Sequence, residues 1–408
     1  MGGEPARARE PGFRRGRGFS PARSGRRMSA ANVDDNEPVT EILILKTAAL
    51  GDVLRTTSIL PGLVATNADS PAPTAARPWL TIDDVPHAPD VRVTWVTAPA
   101  AVDLIRTHPL VDEVVAIDVK DPASVDDVAR RLESRKFERV VSLDDEEPLC
   151  RLASKTCAAR LSGAYETESG ERAYTPDVAP WFDMGLLSVH GKARADAMKV
   201  ANRRSQPEIY ASMLGVPMGK PALVLPSSAT EASSAFARAR RVDPAVPLVG
   251  LNTGAGGRWT SKQLPVDRTV ALAKLVASSL SGRVRFLVLG GDAEEERNRA
   301  ILDGIGDAAI DGGTRNTLLD FAARVELCDV LVTSDSLALH MAVARDTRLV
   351  AFFAPTSAAE IELYGLGEKI VSTSDDYCSY RADADNRSIT PERLGDAVLR
   401  QLGKSASA

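Results

Sequence analysis

The stretch EILILKTAALGDVLRTTSILPGL, residues 41–63, decides the fold. Ile42 to Leu45 form an unbroken aliphatic run, followed by Lys46, a turn of small residues and a segment with apolar positions at helical spacing. That pattern reads as a strand buried on both faces that hands over to a helix, the repeating unit of a parallel sheet. Gly51 and Asp52 fall in the handover, at the carboxyl end of the strand, where open α/β sheets bind ligands. A lone carboxylate there raises a question of role, and helix N-capping is its ordinary structural use.

Similar runs follow along the chain. VRVTWVTA (91–98), VDEVVAI (111–117) and ERVVSL (138–143) read as strands, and SVDDVARRLESRK (124–136) as an intervening helix. The second half repeats the style with PLVGLNTG (247–254), VRFLVLGG (284–291), DVLVTS (329–334) and RLVAFFAP (348–355), and with a helix over 265–280. Two α/β halves of 39–226 and 247–387 follow, joined by a Ser-, Ala- and Pro-containing linker at 227–246 and ended by a helical segment at 388–408. Residues 1–38, rich in Arg, Gly, Pro and Ser, read as a disordered basic tail without the apolar core of a secretory signal.

Composition narrows the function. In 408 residues, 50 Lys and Arg against 55 Asp and Glu leave a net charge of -5, which argues against a general nucleic-acid binder. No apolar run approaches the roughly 18 residues of a membrane span. Four scattered cysteines and four histidines favour a reducing cytoplasm and metal-independent chemistry, without a disulfide framework or a zinc site. No cofactor is expected.

Candidate chemistry gathers at strand ends. In VLVTSDSLALHMAVA (330–344), Ser334, Asp335 and Ser336 close an apolar strand before a helix that carries His340, which makes a potential diphosphate site at a helix N-terminus. NTGAGGRWTSKQLP (252–265) supplies Thr253 and Gly254 in a glycine-rich turn, with Arg258 and Lys262 to balance phosphate charge, although it lacks Walker A spacing. In LVLGGDAEEE (287–296), Glu294 or Glu295 could accept hydrogen bonds from ribose hydroxyls, with helix-dipole complementarity as the structural alternative.

Taken in order, these four motifs resemble glycosyltransferase family 9, the heptosyltransferases of the lipopolysaccharide inner core. The resemblance spans about residues 41–400. Lys46, Gly51 and Asp52 match its first motif, and SDSLALH resembles its D-[ST]-G-x-x-H, with Leu337 where Gly is usual. KQLP and APTSAAE resemble two further elements, with Leu264 and Ala354 as departures and Thr356 on the donor side. The resemblance implies a GT-B architecture of two Rossmann-like domains facing a cleft, the acceptor on the first, the nucleotide sugar on the second, and the last helix returning to the first.

It further implies an inverting transferase, with Asp52 as base, Lys262 stabilising the leaving diphosphate, and Lys46 and Gly51 on the acceptor side. Thr253, Gly254, Arg258, Glu294, Glu295, Ser334, Asp335, Ser336, Leu337, His340 and Thr356 would surround the donor. That donor is expected to be ADP-heptose and the acceptor a lipid-linked or polysaccharide glycan, reached by a monomer that is cytoplasmic or peripheral on the inner membrane. The alternatives are a GT-B sugar-nucleotide epimerase and a homologue that binds nucleotide or glycan without turnover.

Overall fold

The computed structural model describes residues 39–68, 77–85, 88–256 and 259–403. Strands β1 (Thr40–Leu45), β2 (Val91–Thr97), β3 (Glu113–Ala116), β4 (Lys136–Ser142), β5 (Cys157–Glu166) and β6 (Arg172–Tyr174) form one sheet in the order 3-2-1-4-5-6. Only β6 runs antiparallel to its neighbour. The second sheet holds β7 (Leu248–Asn252), β8 (Arg285–Val288), β9 (Ala309–Asp311), β10 (Val330–Ser334), β11 (Leu349–Phe353) and β12 (Gly367–Val371). Its order, 12-11-10-7-8-9, is the same winding, and every pair is parallel.

The aliphatic run of β1 explains the layering. Ile42 and Ile44 project into a core shared with Val53, Leu54, Leu60 and Leu63 of the following helices. Leu43 and Leu45, one residue out of step, project to the opposite face against Val128, Leu132, Leu149 and Leu152. Side chains alternate along a strand, so a run without polar breaks must be covered on both sides. In each sheet the winding reverses beside the first strand, between β1 and β4 and between β7 and β10. The carboxyl ends of those four strands are therefore where ligand-binding turns belong.

Two boundary expectations are corrected. The segment 227–246 is not a plain linker. Ser227–Ala239 is a helix, and Ser233 Oγ donates to Ala323 O at 2.9 Å while Phe236 packs on the core of the second sheet. Its Ala-rich sequence favours a helix, and Ala229, Ser233 and Phe236 recur on one face.

The terminal segment does not leave the second half for the first. In the helix Pro391–Gly403, buried Leu394, Ala397 and Val398 join Leu272, Val276, Val332, Val350 and Phe352 beneath the second sheet. Gly395 lets it lie close to the helix Val266–Ser279, since a Cβ there would stand 2.5 Å from Leu275 Cδ2. The apolar stripe is thus used up on the face of β10 and β11. Replacing Leu394, which is fully buried, by Ala should cost about 2–5 kcal/mol in urea unfolding; an unchanged midpoint would contradict this docking.

Candidate active site

The first turn is anchored from β4. Asp144, just beyond that strand, forms a buried ion pair with Lys46 Nζ and accepts from Thr47 Oγ1 at 2.9 Å and from the backbone N–H of Thr47. Trp95 Nε1 donates to Lys46 O at 3.1 Å from the other neighbouring strand. Burial alone would lower the Lys46 pKa, but Asp144 and then Asp52 outweigh it and keep the ammonium charged. Lys46 therefore sits in the floor of the turn, its Nζ taken up by Asp144 and Ala48 O.

Asp52 lies in the first turn of the helix Leu50–Thr56, but the N-cap residue is Ala49. Capping is not what its carboxylate does. Instead it pairs with Arg55 Nη2 at 2.8 Å, one helical turn on, with 39% of the Asp52 side chain open to solvent. Arg55 lies over the Trp181 ring, 5.8 Å from its centroid. Burial pushes the Asp52 carboxyl up, yet Arg55, Lys46 and His340 together hold it below the usual carboxylate range. It is ionised at neutral pH and able to accept a proton.

The second sheet presents a matching pair of turns. Asn252 Nδ2 donates to Thr333 Oγ1 at 3.1 Å and to Ser336 Oγ at 3.3 Å, tying the end of β7 to the end of β10. Lys262 Nζ donates to both Asp335 O and Asp335 Oδ2, each at 2.9 Å. Burial would raise the Asp335 carboxyl, but Lys262 and His340 draw it down to about 2. Ser336 caps the helix Leu337–Ala344 by position only, because its hydroxyl meets Thr333 Oγ1 instead of a helix N–H. Among the described residues, no side-chain hydrogen bond caps that first turn.

Between these turns is a cleft of about 450 Å³ walled by Gly254, Trp259, Phe321 and Leu337 and lined also by Lys262 and Asp335. Glu294 and Ser336 also reach it. Both Glu294 oxygens hold the surrounding loops: Oε1 accepts from Gly256 N at 2.6 Å and Oε2 from Gly291 N at 2.8 Å. Gly254 is required beside it, as a Cβ would stand 2.5 Å from Glu294 Cγ.

Other expected donor residues fall elsewhere. Thr253 is buried and accepts from Arg297 Nη2 at 2.9 Å, while Glu295 turns outward to Arg299 and Arg315. Ser334 and Thr356 are buried at strand ends, and their hydroxyls have no partner among the described residues. Arg258 lies outside the described residues.

His340 joins the two halves. A Cβ on Gly51 would stand 2.6 Å from His340 Cδ2, so only glycine lets the Leu50–Thr56 helix meet the Leu337–Ala344 helix here. His340 Nε2 is 3.9 Å from Asp335 Oδ1, but burial, aided by Arg55, lowers its pKa to about 4. The imidazole is neutral at pH 7.

The sequence reading missed Asp144, Arg55, Asn252 and Glu360, whose carboxylate accepts from Tyr380 Oη at 2.9 Å and which burial pushes up in pKa. Arg55 had a signal in its spacing of three from Asp52. Asp144 and Asn252 had one in their place at strand ends.

Residues 186–388 match the sequence model of glycosyltransferase family 9 (heptosyltransferase). No curated protein matches the chain by sequence. Among solved structures, the glycosyl transferase family 9 protein of Veillonella parvula DSM 2008 is 19% identical with a TM-score of 0.69, over 91% of this chain and 99% of that one. E. coli ADP-heptose lps heptosyltransferase II is 15% identical with a TM-score of 0.57, over 89% and 98%. E. coli heptosyltransferase WaaC with ADP-2-deoxy-2-fluoro heptose is 16% identical with a TM-score of 0.53, over 88% and 99%. At these identities the likeness shows the fold, which is GT-B-like with two parallel sheets, as the family resemblance implies.

Gly51→Ala should lower the melting temperature by pushing His340 out of place, and His340→Ala in the same chain should restore part of the loss. Additive losses in the double variant would contradict a direct clash.

Acid should act through the same histidine. With a folded pKa of about 4 against 6.5, the unfolded chain binds more protons between these values. The His340 contribution is full above pH 6.5 and is lost as pH falls towards 4. Melting followed across that window should fall less steeply for His340→Gln than for the wild type; identical slopes would remove His340 from the effect.

Proposed function

We propose that the protein is an inverting, metal-independent glycosyltransferase that moves heptose from ADP-heptose to a lipopolysaccharide-core or related surface glycan. The observation that carries this reading is the opposition of two strand-end turns. One presents the ionised, solvent-accessible Asp52, and the other presents Lys262 and an uncapped helix N-terminus beside an apolar-walled cleft. Trp259, Phe321 and Leu337 suit a nucleobase, and the first-turn N–H groups with Lys262 suit a diphosphate.

In the proposed reaction the acceptor hydroxyl gives its proton to Asp52 as its oxygen bonds to the anomeric carbon. The bond from that carbon to the diphosphate breaks on the opposite face, and the nucleoside diphosphate leaves with the electron pair. Attack opposite the leaving group inverts the anomeric centre. Lys262, which donates to Asp335 at the start of the second turn, is the cation that would offset the charge that develops. No metal or cofactor takes part in these steps. The match to the family 9 model supports this choice over an epimerase, which would share the GT-B-like fold.

Asp52→Asn should leave ADP affinity unchanged in calorimetry while transfer falls about 100-fold or more. Unchanged transfer would remove Asp52 as the base. The wild type should prefer ADP to UDP and retain its rate in EDTA; binding neither nucleotide would favour a homologue without turnover.

A further inference from the structure

Among the described residues, the large apolar side chains that stand exposed are Val39, Leu186, Val189 and Val200. Three of these four fall within fifteen residues of one another. Leu186 is 92% exposed and Val189 77%, far beyond the scattered surface leucine that needs no explanation. They lie on the turn before the helix Lys192–Ala201, of which Ala195 is the only buried residue. On the outer side of that helix Ala193, Ala197, Val200 and Ala201 are all exposed, at spacings of four, three and one. That is the stripe an amphipathic helix normally buries.

The surrounding charge is one-sided. Residues 185–204 contain Lys192, Arg194, Lys199, Arg203 and Arg204 against a single acid, Asp196, in a chain whose net charge is -5. Lys192 pairs with Asp196, whereas, among the described residues, Arg203 and Arg204 hydrogen-bond to backbone carbonyls, of Val200, Asn202 and Glu208. Exposed aliphatic side chains beside cationic ones fit an interface where hydrocarbon lies under anionic headgroups.

Its place in the fold adds the third observation. Trp181, just upstream, lies under Arg55, the partner of Asp52. Downstream, Lys199 Nζ stands 4.3 Å from the Tyr380 ring centroid, and Tyr380 donates to Glu360. The surface thus borders the cleft on the Asp52 side.

We infer that residues 185–204 form a docking surface for an anionic lipid bilayer, with Leu186 and Val189 inserted and the flanking Lys and Arg at headgroup level. The surface itself stands on exposure and charge; only its purpose, bringing a lipid-linked acceptor to Asp52, rests on the proposed function.

The test is co-sedimentation of the full chain, residues 1–38 retained in every sample, with vesicles of phosphatidylcholine alone or mixed with phosphatidylglycerol. The wild type should bind the mixed vesicles, more weakly as salt rises, and should not bind phosphatidylcholine. Leu186→Ser with Val189→Ser, and separately Arg194→Glu, should each weaken binding about tenfold with ADP affinity unchanged. Equal binding by wild type and variants would overturn the inference and assign any lipid affinity to another part of the chain. So would a dimer in analytical ultracentrifugation that the serine variant dissociates, since the surface would then cover a second copy. Vesicle binding without ADP binding would sink the donor reading and leave the lipid surface standing.

Discussion

The close approach of Gly51 to His340 is the contact on which the rest of the site depends. With no room for a Cβ between them, the helix after β1 rests directly on the helix after β10, and the carboxyl ends of the two sheets face each other. Met341 and Ala344 then join the core of the first half, across the boundary between the halves. Further bonds extend the seam: Tyr364 Oη donates to Gly219 O and Arg345 Nη1 to Leu223 O, both at 2.8 Å. Gly219 obeys the same steric rule, because a Cβ there would stand 2.4 Å from Ser58 O. Gly51 and Gly219 each allow an approach that a Cβ would block, the first across the halves against the His340 side chain and the second within the first half.

Around that seam the charges come as cation and carboxylate pairs of different burial. Lys46 and Asp144 are both nearly inaccessible, and Asp144 has further donors in Thr47. A buried pair so fully bonded is frame: losing either partner would strand a charge away from water. Arg55 with Asp52 and Lys262 with Asp335 remain partly open. A diphosphate reaching Lys262 also meets the negative charge of Asp335, and the neutral His340 adds no cation to offset it. On the proposed reading, phosphate recognition draws on the N–H groups at the start of the Leu337–Ala344 helix, where Ser336 makes no cap hydrogen bond.

Much of this was legible along the chain wherever the signal was local. The apolar runs of β1, β10 and β11 mark strands covered on both faces, and the turns after β1 and β10 mark the site. β5 was not legible, because CAARLSGAYE carries Arg160 and Ser162 and is exposed over its first half, so neither alternation nor a long apolar run announces it. β9 spans only Ala309–Asp311, too short for any period. The Lys46–Asp144 pair joins residues 98 apart, and only the winding of the sheet puts β4 beside β1. The last helix shows its amphipathic stripe in sequence, but a stripe does not say which sheet will cover it.

The three departures from the family pattern bear on whether the cleft is functional. Leu264 is fully buried in the core of the second sheet, and its N–H donates to Thr253 O at 3.0 Å; the position asks for an apolar side chain on a tethered backbone, which Leu supplies. Ala354 is buried with its carbonyl accepting from Cys378 N at 2.9 Å, again a backbone role. Leu337 opens a regular helix and is not among the residues with left-handed backbone, so the turn never needed glycine for its shape. Its side chain forms part of the cleft wall instead. Leu264 and Ala354 thus fill packing and backbone roles, Leu337 shapes the cleft wall, and on the proposed reading the three departures bear on donor fit more directly than on chemistry.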